Sequence, residues 1–116
     1  MTHPYVEMAF SGYLAYQFDS LLKIYKDSVT DWDGDFSPYL WMADVARSVV
    51  ERRLEGSELA RLMGILDREL NIGRSGAGNL IGVAFIENLP LPSAGGGRFV
   101  KGYEALEAQY KLVFGD

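Results

Sequence analysis

The chain has 116 residues, 48% of them hydrophobic and 23% charged, which is the length and composition of one globular domain with a buried core. Its net charge of −5 argues against nucleic-acid binding, because neutralising phosphates requires an excess of Lys and Arg. The sequence has no cysteine and a single histidine, His3, so it excludes thiolate metal sites and offers almost nothing for a histidine-based metal site or a Ser-His-Asp triad.

The first predicted element is a helix over residues 5–28. Apolar side chains recur there at steps of three and four, as one face of a helix requires. They are Val6, Phe10, Tyr13, Leu14, Phe18, Leu21 and Tyr25.

The next two helices have clear boundary signals. Ser37 suits the N-cap position and Pro38 suits the first helical position, so a helix is predicted to start there and to end at Gly56. Ser57 is predicted to cap the following helix, which Asn71 and Gly73 terminate. The predicted buried positions are Leu40, Ala43, Ala46, Val50 and Leu54 in the first helix, and Leu59, Leu62, Met63, Leu66 and Leu70 in the second.

The segment "LIGVAFIENL", residues 80–89, is apolar almost all round, which is typical of a buried strand or of a central helix. The helical neighbours favour a helix, since a lone strand would have nothing to pair with. A flexible glycine-rich linker is then predicted at about 91–98, before a last helix that contains Phe99, Tyr103, Leu106, Tyr110 and Val113. We therefore expect an all-α fold of about five helices in a single domain, residues 1–116, with stacking of antiparallel helix pairs as in HEAT repeats as one arrangement.

Three aspartates alternate in "DWDGDFSPYLW", residues 31–41. A calcium-binding EF-hand loop needs glycine at its sixth position and glutamate at its twelfth. Counted from Asp31, these positions hold Phe36 and Met42, and the glycine lies at position four. The spacing argues against a metal site, and we expect neither a metal nor a cofactor.

The same stretch has the composition of a contact surface. From residue 27 to residue 44 there are five aspartates and no Lys or Arg, with aromatic residues among them. Aromatic side chains within a polar rim are typical of interface hot spots. The predicted partner-binding residues are Asp31, Trp32, Asp33, Asp35 and Trp41. In the alternative interpretation the two tryptophans fold back onto the core.

Two further sets of polar residues raise the question of a site. "GRSGAGN", residues 73–79, precedes a predicted helix and offers backbone amides to an anion, but its spacing is not that of a phosphate-binding loop, which favours a plain turn. Asp44, Arg47, Glu87 and Asn88 are interpreted as a structural polar network, because a carboxylate at the end of an apolar segment is costly to bury unless it is paired. A catalytic carboxylate in a cleft is the alternative.

Three segments carry a family resemblance: "SPYLWMADVARSVVE", "LMGILDREL" and "NLIGVAFIENLP". Together they resemble a family of small bacterial all-helical domains of unknown function, some of which look like immunity proteins of polymorphic toxins. The similarity spans roughly residues 37–90, and its most specific positions are Asp44, Arg47, Glu87 and Asn88. The resemblance implies an all-helical fold and a role in neutralising a toxin by binding it.

We therefore expect a cytoplasmic binding protein rather than an enzyme, with a cognate toxin of basic surface as partner and no affinity for nucleic acid or membranes. No run approaches the roughly 18 apolar residues that a membrane span needs. The alternatives are a small-ligand sensor or enzyme with a pocket around Glu87, Asn88, Asp44 and Arg47, and a homo-oligomeric scaffold.

Overall fold

A computed structural model describes residues 4–31, 36–72 and 77–115. These residues form six α-helices: α1 (Pro4–Gln17), α2 (Asp19–Asp31), α3 (Pro38–Val50), α4 (Gly56–Ile72), α5 (Ala77–Leu80) and α6 (Glu104–Phe114). A π-helical turn, Ile81–Phe85, follows α5, and 3₁₀ turns are formed by Ile86–Asn88, Pro92–Ala94 and Gly96–Phe99. The described ranges contain no strand, so the all-α prediction is confirmed. No helix in them is long and apolar enough to cross a membrane.

The predicted first helix is divided in two at Phe18. Its ring is buried, and the guanidinium carbon of Arg61 in α4 lies 4.5 Å from the ring centroid. The break frees the carbonyl oxygen of Gln17, which accepts a hydrogen bond from Arg61 Nη2 at 2.9 Å. This partner comes from a distant helix, so the hydrogen bond to Gln17 could not be predicted from the local sequence.

The start of α3 agrees with the sequence. The Ser37 hydroxyl accepts a hydrogen bond from the Leu40 amide at 3.4 Å, and Pro38 occupies the first turn. The end does not agree, since α3 stops at Val50 and Gly56 begins α4 with a φ of +59°. Ser57 therefore lies inside the first turn of α4 and is not its cap.

The chain leaves α3 through Arg52, whose φ is +62°. The Arg52 amide donates to Val49 O at 3.2 Å, and the Arg53 amide donates to Ser48 O at 2.9 Å. These two bonds are those of a Schellman motif, which normally has glycine at the left-handed position. Arginine therefore occupies a position that glycine would adopt more easily.

The apolar segment 77–88 is helical, as the sequence favoured, and lies at the centre of the molecule. Leu80, Ile81, Phe85 and Ile86 are fully buried. The segment contacts α1, α3, α4 and α6, whereas α1 also packs on α2. Contacts of one segment with four helices differ from the nearest-neighbour pattern of stacked helix pairs.

The predicted linker at about 91–98 is instead two 3₁₀ turns packed on α6. Gly96 is buried, and a Cβ on it would overlap the carbonyl oxygen of Pro90. The hydroxyl of Tyr110 in α6 donates to that same oxygen at 2.6 Å. The glycines therefore permit close backbone packing, and the expectation of a linker is corrected.

Candidate functional site

A polar groove of about 340 Å³ lies between α2 and α3. Helical spacing builds it, because the lining residues of each helix are three or four positions apart and so share one face. The lining comprises Ile24, Asp27 and Ser28 of α2, Asp44, Arg47 and Ser48 of α3, and Glu51 and Arg53 just after α3. The groove thus holds three carboxylates and two guanidinium groups.

Both arginines of this groove are paired within it. Arg47 Nη2 contacts the Asp44 carboxylate, one turn earlier in α3. Arg53 Nη2 lies 3.1 Å from the Glu51 carboxylate. Asp27 makes no ion pair within 4.0 Å with any described residue, although Lys23 and Lys26 of the same helix lie near it. Asp31, the last residue of α2, comes one turn after Asp27.

An aromatic cluster lies between α1, α2 and the start of α3, centred on Tyr25. The Tyr25 ring meets the rings of Tyr16, Phe36 and Trp41 edge to face, with centroid distances of 6.4, 5.2 and 5.6 Å. Such tilted pairs are the favoured geometry for aromatic rings. A Cβ on Gly12 would lie 3.4 Å from the Tyr25 hydroxyl oxygen, so glycine there lets the ring lie close to α1.

The cluster runs from the core to the surface. Trp41 is 1% exposed, Tyr25 and Phe36 are half-buried, and Tyr16 is 68% exposed. Tyr25 lies in α2, and Phe36 comes two residues before α3. Because Phe36 directly follows Asp35, one ring of the cluster adjoins the acidic stretch in the sequence.

The structure corrects one predicted partner contact. Trp41 is part of the core, where it packs on Tyr25, so it is not available to a partner. The alternative interpretation, in which this tryptophan folds back onto the core, is the one that the structure shows. Trp32, Asp33 and Asp35 lie outside the described residues, as does the side chain of Asp31.

The predicted polar network is only partly formed. Asp44 and Arg47 are paired, but their side chains are 33% and 57% exposed. Glu87 and Asn88 are exposed, and Asn88 Nδ2 donates to Ala84 O at 2.6 Å, within its own helical segment. The prediction of a buried network of all four residues is therefore wrong. In the 3₁₀ turn 86–88 it is Ile86 that points to the core, which leaves the next two side chains at the surface. Neither Glu87 nor Asn88 lines the groove of Asp44 and Arg47.

Sequence reasoning missed a second polar network, centred on Tyr39. The Tyr39 hydroxyl donates to Glu7 Oε2 at 2.6 Å and accepts from Asn79 Nδ2 at 2.7 Å. Burial, then the hydrogen bond to Glu7, raises the pKa of Tyr39, while the bond from Asn79 opposes the rise. Glu7 is only 7% exposed. The sequence feature that could have indicated its burial is its position one helical turn before Phe10 and Ser11, which are also buried. The network ties α1, α3 and α5 together.

Among the side chains of the described ranges, no three His, Asp or Glu residues form a group that could hold a metal ion. Comparison with protein-family models, curated proteins and solved structures finds no match to this chain. Candidate contact residues are therefore identified from the geometry alone, and they include the carboxylates of the α2–α3 groove and the exposed rings of the aromatic cluster.

Proposed function

We propose that the chain is an immunity-type protein that binds a cognate bacterial toxin and neutralises it by occluding its active or functional surface. The observation that carries the proposal is the acidic α2–α3 groove, together with the partly exposed aromatic cluster to which α2 contributes Tyr25. The same proposal agrees with the resemblance of roughly residues 37–90 to small bacterial helical domains of unknown function, some of which look like immunity proteins.

Charge favours a basic partner. The two arginines of the groove are already paired, and Asp27 forms no close ion pair with a described residue. The sequence adds Asp31, Asp33 and Asp35 directly after it, on a chain of net charge −5. Like charges gathered in this way attract a cationic surface and accelerate association with it. Toxins that act on nucleic acids or nucleotides need basic clefts, which is the surface that such an inhibitor would cover.

The aromatic residues supply the apolar part of the contact. Tyr16 presents most of its ring to solvent, and Tyr25 and Phe36 present part of theirs. Packing of Tyr25 against Trp41 and Gly12 holds the exposed rings in place before binding. Rings held in this way lose little conformational entropy on binding, which is why tyrosine is common at hot spots.

The test takes candidate toxin domains from the genes that flank this one and expresses each in bacteria with and without the full chain. We expect co-expression to restore growth and the purified proteins to form a complex whose association rate falls with added salt. Reversal of charge by Asp31→Lys, Asp33→Lys and Asp35→Lys together should lower the association rate about tenfold or more and flatten its salt dependence.

The matched control reverses three carboxylates elsewhere, with Glu55→Lys, Glu69→Lys and Glu87→Lys. The control variant changes the net charge by the same amount. If the contact surface is local, the control should lower the association rate clearly less than the triple aspartate variant does. Equal effects of the two triple variants, or no effect of either, would rule out an acidic contact surface at this end of α2. A stable homo-oligomer by light scattering, with no toxin bound, would favour the scaffold instead.

The aromatic contact has its own test within α1. Tyr16→Ala should weaken the complex about tenfold or more, since hot-spot truncations cost at least about 1.4 kcal/mol. Its melting temperature should change little, because Tyr16 is 68% exposed. Leu112→Ala, at a residue of α6 that is 80% exposed, is the control and should leave affinity unchanged.

A further inference from the structure

A second groove, of about 420 Å³, lies between the glycine-rich turns and α6. Its walls are mostly apolar and include Pro92, Val100 and Tyr110, and Arg98 and Lys111 stand at its rim. The volume is within the range of about 300–1,000 Å³ that is typical of small-molecule sites. None of its lining residues belongs to the α2–α3 groove.

Packing of the glycine turns fixes the floor of this groove. Gly96 is pressed against Pro90 O and the Tyr110 hydroxyl, and the hydrogen bond between those two groups is 2.6 Å long. Gly97 faces the Tyr110 ring, since a Cβ there would lie 3.9 Å from Cε1. The ring is therefore held between the turns and α6.

The guanidinium group of Arg98 is also held in place. Its Cζ lies 4.6 Å from the centroid of the Phe99 ring. On its other side it crosses Gly95, where a Cβ would come within 2.8 Å of Nη1. Gly95 has a φ of +80°, a left-handed conformation that glycine adopts easily. Its lack of a side chain also leaves space for the Arg98 guanidinium group.

The charges at the rim favour an anion. Arg98 and Lys111 form no ion pair with a described residue. Among the described lining residues there is one carboxylate, Glu107, and its Oε1 accepts a hydrogen bond from the Gly102 amide at 3.0 Å. The described part of the rim therefore carries two cations and one carboxylate, on a chain of net charge −5.

We propose that this groove binds a small amphipathic anion, an aromatic or aliphatic body that carries one carboxylate or sulfonate. The apolar body lies against the exposed Pro92, over the floor that Val100 and Tyr110 form, and the anionic group meets Arg98 and Lys111. The chemistry is opposite to that of the acidic α2–α3 groove, so a basic toxin would not be its occupant. Each of the two proposals can fail without the other.

The probe is anilinonaphthalene sulfonate, compared with the neutral N-phenylnaphthylamine, which has nearly the same aromatic body. We expect the sulfonate to bind the folded chain as a single molecule, by fluorescence and calorimetry, and to shift the amide resonances of Gly95 and Gly97. Arg98→Gln and Lys111→Gln should each weaken it at least about fivefold, because each removes a charge-assisted contact. Neither charge variant should change the affinity for the neutral probe.

Two further variants complete the experiment. Lys23→Gln in α2 removes a positive charge outside this groove and should leave both probes unaffected. Gly97→Leu introduces a side chain beside the Tyr110 ring and should weaken both probes. Arg98 and Lys111 are exposed, so their variants should unfold at the temperature of the original chain. Insensitivity of sulfonate binding to both charge variants, or to Gly97→Leu, would overturn the proposal.

Discussion

The carboxylate of Asp67, in the middle of α4, caps the N-terminus of α6 at Ala105. Its Oδ1 accepts hydrogen bonds from the amides of Ala105 at 2.9 Å and Leu106 at 3.1 Å. Tyr103, which occupies the N-cap position of α6, has no side-chain hydrogen bond there. A residue 38 positions away therefore satisfies the free amides of the helix and contributes a negative charge at its positive end.

Asp67→Ala should destabilise the protein by about 1–2 kcal/mol, the usual cost of losing an N-cap. Asp67→Asn keeps an acceptor oxygen and should cost less than half as much. The free energy of unfolding in urea measures both. Glu69→Ala, two residues later in α4, is the control and should stay within about 0.5 kcal/mol of the original chain. Equal losses at the two positions would contradict the cap.

Two glycine-to-alanine substitutions should have opposite effects. Gly96→Ala places a Cβ onto the Pro90 carbonyl oxygen and next to the Tyr110 hydroxyl, so it should destabilise by about 2–4 kcal/mol. Gly64→Ala, within α4, meets nothing within 4 Å and should stabilise by about 0.5–1 kcal/mol through helix propensity. Denaturant unfolding of the two variants side by side gives the comparison, and a small effect of Gly96→Ala would mean that the turns are not packed as described.

Local patterns predicted much of the fold. The spacing of apolar residues indicated the helical segments, and Ser37-Pro38 indicated the start of α3, because both signals depend only on neighbours along the chain. The break at Phe18 depends on Arg61, and the packing of the glycine-rich turns depends on Pro90 and Tyr110. Such distant partners leave no local signal, so one long helix and a linker were predicted instead.

The sequence indicated the acidic charge of the candidate site, but it did not indicate which aromatic residues would be exposed there. The acidic run pointed to the end of α2, and Asp27 was part of it. Tryptophan is common both in cores and at interfaces, so sequence could not decide that Trp41 would be buried and that Tyr16 would be exposed. The hydrogen bond between Tyr39 and Glu7 joins residues 32 positions apart, and it was missed because such distant partners leave no local signal in the sequence.

Arg52→Gly should stabilise the protein by about 0.5–1 kcal/mol. The residue has a φ of +62°, which costs an L-residue energy that glycine does not incur. Arg52→Ala also removes the charge but keeps the Cβ, so it should bring no gain. A comparison of the two variants by thermal unfolding separates backbone relief from the change in charge, and an equal gain from both would assign the effect to charge.

Stability should fall as pH rises above about 10, because burial raises the pKa of Tyr110, and burial and Glu7 raise that of Tyr39. In the folded chain these hydroxyls keep their protons at a pH where unfolded tyrosine has lost them. The folded state then binds more protons than the unfolded state. The contribution of these groups to stability is therefore complete below the ordinary pKa of tyrosine and is lost as pH rises through the raised pKa values.

Tyr110→Phe should cost about 1 kcal/mol at neutral pH, because it removes the hydrogen bond to Pro90 O, and it should make the loss of stability with pH less steep. Tyr39→Phe should flatten it as well, whereas Tyr16→Phe, at an exposed ring, should leave the slope unchanged. Urea unfolding across the range from about pH 8 to about pH 11 measures the slopes, and one common slope for all the variants would show that neither buried hydroxyl controls it.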